Sequence, residues 1–326
     1  MKAIRFLCVV IVTLGLILLS ADQNFAAGPD FPNKPLTVVV GFSPGGTDLL
    51  LRGFTDRMPK YFGQQPINYV YKTGASGAIA ASYVANLKPD GYTVFGTTQS
   101  AIVVLPHAQK VTFNLSTFTP ICNLVESYPT LWVQSDSPWK NLQELVAEAK
   151  KNPGTISFTS PGTYAIQHLM VEAFCKEAGV KLNHIPATGG ATVITALLGG
   201  HVNMAVQDIV AGLPHFKAGK LRPLGVFNKK RIKALPDCPT ISELGYRVDV
   251  PMIYGLYGPK DMPKELVAAW NSAARKVLEN DKAQLLELYD KMGAEIGYLP
   301  SDEFGIELRK QDAFFAGVAK EVVTAK

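Results

Sequence analysis

The order of strand-like and helix-like segments constrains the fold of this 326-residue chain more than any other feature. Leu36–Phe42 is an apolar, β-branched run bounded by proline and glycine, which is typical of a buried parallel strand. Helical and strand patterns then alternate until Thr93–Thr97, which ends the series as a third strand. A second alternating series begins with the helical pattern Asn141–Lys151. Each series predicts a parallel sheet covered by helices.

Two such series predict two lobes, and a chain of this length can form two domains. The segments Pro120–Val133 and Asp249–Tyr257 are the candidate crossings between the lobes. We therefore predict an α/β fold of two Rossmann-like lobes joined by two crossing segments, with a ligand cleft between them. Lobe 1 is expected to comprise residues 28–128 and 251–326, and lobe 2 residues 129–250.

The N-terminus has the pattern of a secretory signal peptide. Lys2 and Arg5 precede the apolar run Phe6–Leu19, and small residues follow. The run is shorter than the roughly 20 residues that a membrane-spanning helix needs. We expect residues 1–27 to be removed after Ala27, and the mature protein to be periplasmic. The alternative cleavage sites are Ala21 and Ala26.

The charge pattern argues against a nucleic-acid partner. The chain has a formal net charge of +5, which is mildly basic. Its densest basic cluster, Lys229–Arg231 with Lys233, contains no interleaved aromatic residue, so a solvated turn is the simpler interpretation. We expect a monomer without a cofactor.

Three cysteines remain after residue 27: Cys122, Cys175 and Cys238. Their wide spacing is typical neither of a disulfide framework nor of a zinc site, so no metal is predicted. Cys175 lies on the apolar face of a helical pattern and is predicted to be a buried thiol. Export would permit a single bond between Cys122 and Cys238, and this alternative stays open.

Four loops share one design, in which a strand leads through glycine and serine or threonine into a helix. Helix starts carry unpaired N–H groups and about half a positive charge, so they suit an anion. In open α/β sheets, ligands bind at the carboxyl ends of the strands, where these loops lie. Ordinary turn and capping chemistry explains any single loop, but their recurrence in both series favours a ligand cleft. The loops are Ser43–Thr47, Thr73–Gly77, Ser160–Thr163 and Thr188–Thr192.

Further polar residues lie near these loops. The run Thr97–Ser100 follows the third strand and is expected to face the ligand. Asp48 either interacts with the dipole of its own helix or accepts a hydrogen bond from the ligand, from water or from a neighbouring loop. Asp208 either caps the next helix or contacts the ligand. For His168, a packed and hydrogen-bonded role is favoured over ligand contact.

The best alternative from another class is a secreted serine hydrolase. Gly41-Phe42-Ser43-Pro44-Gly45 matches the G-x-S-x-G nucleophile elbow between a strand and a helix. However, the elbow's oxyanion hole uses the N–H that follows the serine, and Pro44 has none. The five histidines also offer no recognisable triad context. We therefore predict that the protein is not an enzyme.

A series of short motifs covers nearly the whole mature chain in a fixed order. The motifs include Phe31-Pro32-Asn33-Lys34-Pro35, Pro44-Gly45-Gly46-Thr47-Asp48, Gly74-Ala75-Ser76-Gly77, Pro89-Asp90-Gly91-Tyr92-Thr93, Gln167-His168-Leu169, Leu198-Gly199-Gly200 and Leu235-Pro236-Asp237-Cys238-Pro239-Thr240. With these motifs the chain resembles the receptors of tripartite tricarboxylate transporters, also called Bug-type periplasmic binding proteins.

The resemblance implies a receptor that closes on a small carboxylate and delivers it to membrane permease subunits. Di- and tricarboxylates, acidic amino acids and aromatic acids are the ligand classes that it implies. It also implies that part of the contact runs through ordered water. Together with the loops above, it gives the predicted ligand-binding set: Phe42, Ser43, Gly45, Gly46, Asp48, Thr97, Thr98, Gln99, Ser100, Ser160, Gly162, Thr163, Tyr164, His168, Thr188 and Asp208.

Two departures from the family pattern concern the ligand. The first loop has one residue fewer between its glycine pair and Asp48. Where members often have a Tyr-Lys-Gly turn, this chain has Ala187-Thr188-Gly189, which lacks the aromatic ring and the ammonium group. An aromatic or less charged acid is therefore a further candidate ligand.

Overall fold

The computed structural model describes residues 31–187, 189–248 and 250–324. The predicted signal peptide and Thr188 of the predicted ligand set lie outside the described residues. Among the residues described, no helix combines the length and the apolar character that crossing a bilayer requires.

Strands and helices alternate through most of the described chain. The strands are β1 (Leu36–Val40), β2 (Ile67–Tyr71), β3 (Thr93–Thr98), β4 (Phe118–Ser127), β5 (Pro129–Gln134), β6 (Ser157–Thr159), β7 (Asn183–His184), β8 (Met204–Asp208), β9 (Leu221–Val226), β10 (Met252–Pro259) and β11 (Glu295–Pro300). The α-helices are α1 (Thr47–Thr55), α2 (Ala78–Ala85), α3 (Leu105–Ala108), α4 (Leu142–Lys151), α5 (Ile166–Ala178), α6 (Gly190–Leu198), α7 (Ile209–Lys217), α8 (Lys264–Asn280), α9 (Lys282–Met292) and α10 (Ser301–Thr324).

The strands form two sheets, which confirms the predicted α/β fold of two lobes. The first sheet has the strand order β11-β4-β10-β3-β1-β2, and the second has the order β7-β6-β8-β5-β9. β1 pairs in parallel with both β2 and β3, and β6 pairs in parallel with both β7 and β8. The carboxyl ends of these parallel strands therefore meet at one edge of each sheet.

The predicted parallel pairing covers only part of each sheet, because both sheets are mixed. β10 runs antiparallel to β3 and β4, β11 runs antiparallel to β4, and β5 runs antiparallel to β8 and β9. Most of the predicted crossing Asp249–Tyr257 is strand β10 of the first sheet. Parallel neighbouring strands need a crossover connection, usually a helix. The chain enters β10 from the second sheet without such a helix among the described residues, so β10 is not required to run parallel to its neighbours.

Two segments join the sheets. Tyr128 alone separates β4 of the first sheet from β5 of the second, and residues 227–251 return the chain to β10. The C-terminal helix α10 makes a further connection, because it packs against both β4 and α5. The sequence did not predict this contact. At its start, the Ser301 hydroxyl donates a hydrogen bond to the Pro120 carbonyl at 2.7 Å. The predicted lobe boundaries, at 128/129 and 250/251, stay predictions.

Close packing at the first sheet fixes the start of α1. Val38 on β1 and Leu51 on α1 are fully buried, and both lie against Gly96 of β3. A Cβ built on Gly96 would lie 2.4 Å from Val38. A side chain at Gly96 would therefore push α1 away from the sheet and displace the loop before it.

All three cysteines are free and buried, so the alternative of a Cys122–Cys238 bond is wrong. Cys122 lies in β4 of the first sheet, whereas Cys238 belongs to the apolar cluster around Trp132 of the second sheet. The prediction of a buried Cys175 thiol is confirmed.

The thiols should be unreactive in the folded protein. Burial raises the pKa of Cys238 to about 12 and raises the pKa values of Cys122 and Cys175 further. Since the thiolate is the nucleophile, we expect negligible reaction with Ellman's reagent at pH 8 for a chain lacking residues 1–27. All three thiols should react after unfolding in guanidinium chloride. Rapid reaction of one thiol in the native protein would contradict this burial.

Candidate functional site

A cavity of about 190 Å³ lies between the two sheets and is lined from both lobes. On the first lobe its wall is the loop 42–47 with Leu50, Thr98 and Ser100. On the second lobe the wall includes the loop 189–192. Its remaining lining residues are Pro161, Ala165, Gln167, Gln207, Asp208, Val210, Ala211, Met252 and Tyr254.

Four helices begin at this cavity. Helix α1 starts after Gly46 and helix α6 starts after Gly189, and neither glycine can supply a side-chain cap. Ala165 at the start of α5 and Asp208 at the start of α7 also line the cavity. The first N–H groups of a helix have no partner within the helix, so these helices direct partial positive charge into the cavity from both lobes.

No basic side chain of the described residues adds positive charge to the cavity wall. Among the described residues that line the cavity there is no lysine, arginine or histidine, and Asp208 is the one carboxylate. The favourable potential for an anion must therefore come from backbone N–H groups and neutral polar side chains.

The first loop is held in shape by Asp48, which does not itself line the cavity. Its carboxylate accepts hydrogen bonds from the Gly45 N–H at 2.8 Å and from the Tyr71 hydroxyl at 2.9 Å. Gly45 has φ +110°, a conformation that favours glycine, whereas Gly46 has φ −124° and open space at its Cβ position. Of the two roles considered for Asp48, the structure shows contact with a neighbouring loop.

Asp208 links the lobes across the cavity. Its side chain accepts a hydrogen bond from the hydroxyl of Tyr254, which belongs to β10 of the first sheet. Asp208 is only 6% exposed, and burial raises its pKa, although the nearby hydroxyls of Ser127 and Tyr254 oppose this shift. It makes no side-chain cap bond to α7, so the capping alternative is wrong. Within the described chain, its Oδ1 atom is buried without a hydrogen-bond partner.

Ser100 and Gln99 connect the third strand to the second lobe and to β10. The Ser100 hydroxyl accepts a hydrogen bond from the Ile166 N–H at 3.1 Å, at the start of α5. The Gln99 amide donates to the Pro251 carbonyl at 2.8 Å and accepts from the Ile253 N–H at 3.1 Å. Gln99 therefore fixes the entry into β10 and does not line the cavity.

The structure brings seven of the predicted ligand-binding residues to the cavity wall: Phe42, Ser43, Gly45, Gly46, Thr98, Ser100 and Asp208. Thr188 falls outside the described residues. The other predicted residues do not line the cavity: Asp48, Thr97, Gln99, Ser160, Gly162, Thr163, Tyr164 and His168.

His168 is a packing residue behind the wall. It is buried, its Nδ1 accepts a hydrogen bond from the Tyr164 N–H at 3.1 Å, and its ring stacks on His184 at 3.9 Å between centroids. The Ser160 hydroxyl lies 2.8 Å from His184 Nε2. None of the five histidines, all within the described chain, lines the cavity, so Ser43 has no histidine base beside it.

Sequence reasoning missed two amides and one phenol at the cavity: Gln167, Gln207 and Tyr254. Gln207 directly precedes Asp208, so the signal that singled out Asp208, a polar side chain at the end of a buried strand, applied to Gln207 as well. Tyr254 could not be found this way, because the sequence did not predict that its segment joins the first sheet.

Comparison with known proteins agrees with this architecture. The sequence profile of the tripartite tricarboxylate transporter family receptor, TctC, matches residues 50–304. The chain belongs to this family. The resemblance predicted from the motifs is therefore confirmed.

The chain is similar to a UPF0065 protein in the gbd 5'region of Cupriavidus necator. The two are 35% identical over 290 residues, which cover 88% of this chain and 86% of that protein. A solved structure described as a periplasmic transporter is 32% identical with a TM-score of 0.83, covering 89% of this chain and 97% of that one.

Two similar solved structures contain dicarboxylates. MatC from Rhodopseudomonas palustris, with bound malate, is 25% identical with a TM-score of 0.81 and covers 89% of this chain and 100% of its own. Rpa4515 of R. palustris, with adipate, is 28% identical with a TM-score of 0.81 and covers 89% and 98%. The family and these neighbours are solute-binding proteins. The chain is therefore a solute-binding protein and not an enzyme, and the hydrolase alternative based on Ser43 is wrong.

Replacing Asp48 should destabilise the first loop. Asp48→Ala removes the acceptor for the Gly45 N–H and the Tyr71 hydroxyl, so we expect the free energy of unfolding to fall by about 1–3 kcal/mol. Guanidinium unfolding measures this change. Asp56→Ala is the matched control, since Asp56 lies exposed just beyond the same helix and contacts Arg52 at 3.3 Å, and it should change stability by less than about 1 kcal/mol. Equal effects of the two substitutions would contradict the assigned role of Asp48.

Proposed function

We propose that this protein is a periplasmic receptor that captures a small carboxylate and delivers it to a tripartite tricarboxylate-type membrane transporter. The observation that carries the proposal is the pair of uncapped helix starts, α1 and α6, at one cavity whose described lining includes no basic side chain. Backbone N–H groups in this arrangement bind a carboxylate without a fixed counter-ion.

A dicarboxylate fits the two-sided arrangement best. One carboxylate would take the N–H groups of Gly46 and Thr47 in the first lobe, and the other those of Gly190 and Ala191 in the second. Leu50, Val210 and Met252 give the space between them an apolar lining. The malate and adipate bound to the two R. palustris proteins support this ligand class. Tricarboxylates, acidic amino acids and aromatic acids are the other classes to be tested.

Binding in such a receptor would be coupled to the relative position of the lobes. Direct hydrogen bonds already connect the lobes, including Ser76 Oγ to the Thr163 carbonyl at 3.2 Å and Tyr254 to Asp208. A ligand that touches both lobes adds contacts only in the closed form, and its differential affinity would shift the equilibrium towards closure. The permease subunits would then receive the closed receptor.

Direct ligand contacts are proposed for the predicted residues that line the cavity, and Thr188 is added because it adjoins Gly189. Residues 1–27 are proposed to export the chain, which agrees with its membership of a family of transporter receptors. Lobe 1 is proposed to comprise residues 28–128 and 251–326, and lobe 2 residues 129–250. The mature receptor is proposed to act as a monomer.

A binding screen tests the proposal. The chain lacking residues 1–27 is titrated by calorimetry with malate, succinate, adipate, citrate, aspartate and benzoate, each compared with its amide or ester. A ligand at 100 times its dissociation constant should add about 2.7 kcal/mol to the free energy of unfolding, which a thermal-shift assay detects. We expect at least one dicarboxylate to bind and its diamide not to bind.

Failure of every acid to bind would contradict the proposal. If no acid binds, and mass spectrometry of the denatured protein finds no acid that co-purified with it, the carboxylate-receptor proposal is wrong.

A further inference from the structure

Gln207 has an unusual place in the cavity wall. It precedes the last residue of β8, it lines the cavity, and only 4% of its surface is exposed. Its backbone is anchored because its carbonyl accepts a hydrogen bond from the buried indole of Trp132 at 3.2 Å. Because Gln207 is buried and its backbone is fixed, its side chain has a defined direction before a ligand binds.

The orientation of the Gln207 amide is fixed by one hydrogen bond. Its side-chain oxygen accepts from the Asp208 N–H at 2.7 Å. A carboxamide can accept such a bond only through its oxygen, so the other end of the group is the NH₂. That nitrogen has two N–H donors, and neither has an acceptor in the described chain.

The free NH₂ group points at the start of helix α6. A Cβ built on Gly190 would lie 2.6 Å from Gln207 Nε2, so the amide nitrogen sits directly over the glycine backbone. The first N–H groups of α6, at Gly190 and Ala191, have no partner within the helix, and both residues line the same cavity as Gln207. The side-chain donor of Gln207 and the first backbone donors of α6 therefore lie at the same end of the cavity.

We propose that Gln207 is a carboxylate-binding residue of the second lobe. Its NH₂ group donates to one oxygen of a ligand carboxylate, while the first N–H groups of α6 donate to the same carboxylate. This assignment rests on the proposed receptor function and adds the residue that recognises one end of the ligand. Its chemistry selects an ionised carboxylate, which accepts through both oxygens, over an amide or an alcohol at that end.

A purely structural role makes the opposite prediction for one substitution. Gln207→Glu retains an oxygen for the Asp208 N–H but replaces the free donor with a negatively charged acceptor. Gln207→Met keeps the length of the side chain and removes both the donor and the acceptor. If Gln207 acted only by holding Asp208, the Glu variant would bind as the wild type does and the Met variant would be weakened.

Calorimetric titration at pH 8 with malate, adipate and every other acid that binds the wild type distinguishes these roles. We expect Gln207→Met to bind about tenfold more weakly, because a buried hydrogen bond to a charged group is lost. We expect Gln207→Glu to bind at least about 100-fold more weakly, because like charges then face each other in a desolvated site. The controls are Gln134→Glu and Gln134→Met, since Gln134 also lies in the second sheet but bonds the Leu198 carbonyl outside the cavity. Both controls should retain wild-type affinity.

The result that overturns the assignment is wild-type binding, within about threefold, by Gln207→Glu for every acid that the wild type binds. A wild type that binds no acid would instead overturn the proposed function itself. Should the Glu variant fail to fold, the wild type still decides. The side-chain NH₂ resonance of Gln207, assigned by its loss in Gln207→Met, must shift on saturation with malate or another bound acid, and an unchanged resonance refutes the contact.

Discussion

The free N–H groups at the start of a helix carry a partial positive charge that cannot be removed by protonation or by rotation of a side chain. In this receptor, α1 and α6 place such groups on opposite sides of one cavity, and no basic residue of the described chain lines it. The position of each helix start depends on its sheet. The parallel pairing of β1 with β3 and the packing of Leu51 over Gly96 set the start of α1. A change in the sheets would therefore change the site.

The interactions around the cavity fix the positions of these N–H groups without cancelling their partial positive charge. Asp48 accepts hydrogen bonds from the Gly45 N–H and the Tyr71 hydroxyl without lining the cavity itself, whereas Gly46 and Thr47 do line it. Gln99 fixes the entry of β10, and Tyr254 on that strand reaches Asp208 in the other lobe. The residues that shape the cavity are thus partly distinct from those that line it. This division explains why Asp48 and Gln99 belonged to the predicted set but lie behind the wall.

Local patterns were enough to predict the parallel part of each sheet and the glycine-rich loops before α1 and α6, because both depend on neighbours in sequence. They were not enough for β10 and β11, which join the first sheet from distant parts of the chain and carry no local sign of their partners. The same limit hid Tyr254, whose contact with Asp208 spans the two lobes. His168 was suggested by its position near a helix start, but its stacking on His184 depends on a strand that follows α5. The sequence alone also left open a disulfide bond between Cys122 and Cys238. In the structure both thiols are free, because Cys122 lies in the first sheet and Cys238 in the apolar cluster of the second sheet.

Backbone N–H groups of both lobes are proposed to bind the ligand's carboxylates. This binding can be followed through the ¹H–¹⁵N resonances of Thr47 and Ala191 while a dicarboxylate that binds is titrated into the ¹⁵N-labelled protein. Both amide protons should shift downfield and saturate together at one equivalent, as expected for N–H groups that donate to a carboxylate. Unchanged resonances at both residues, with shifts confined to the exposed basic segment Lys229–Lys233, would contradict this proposal.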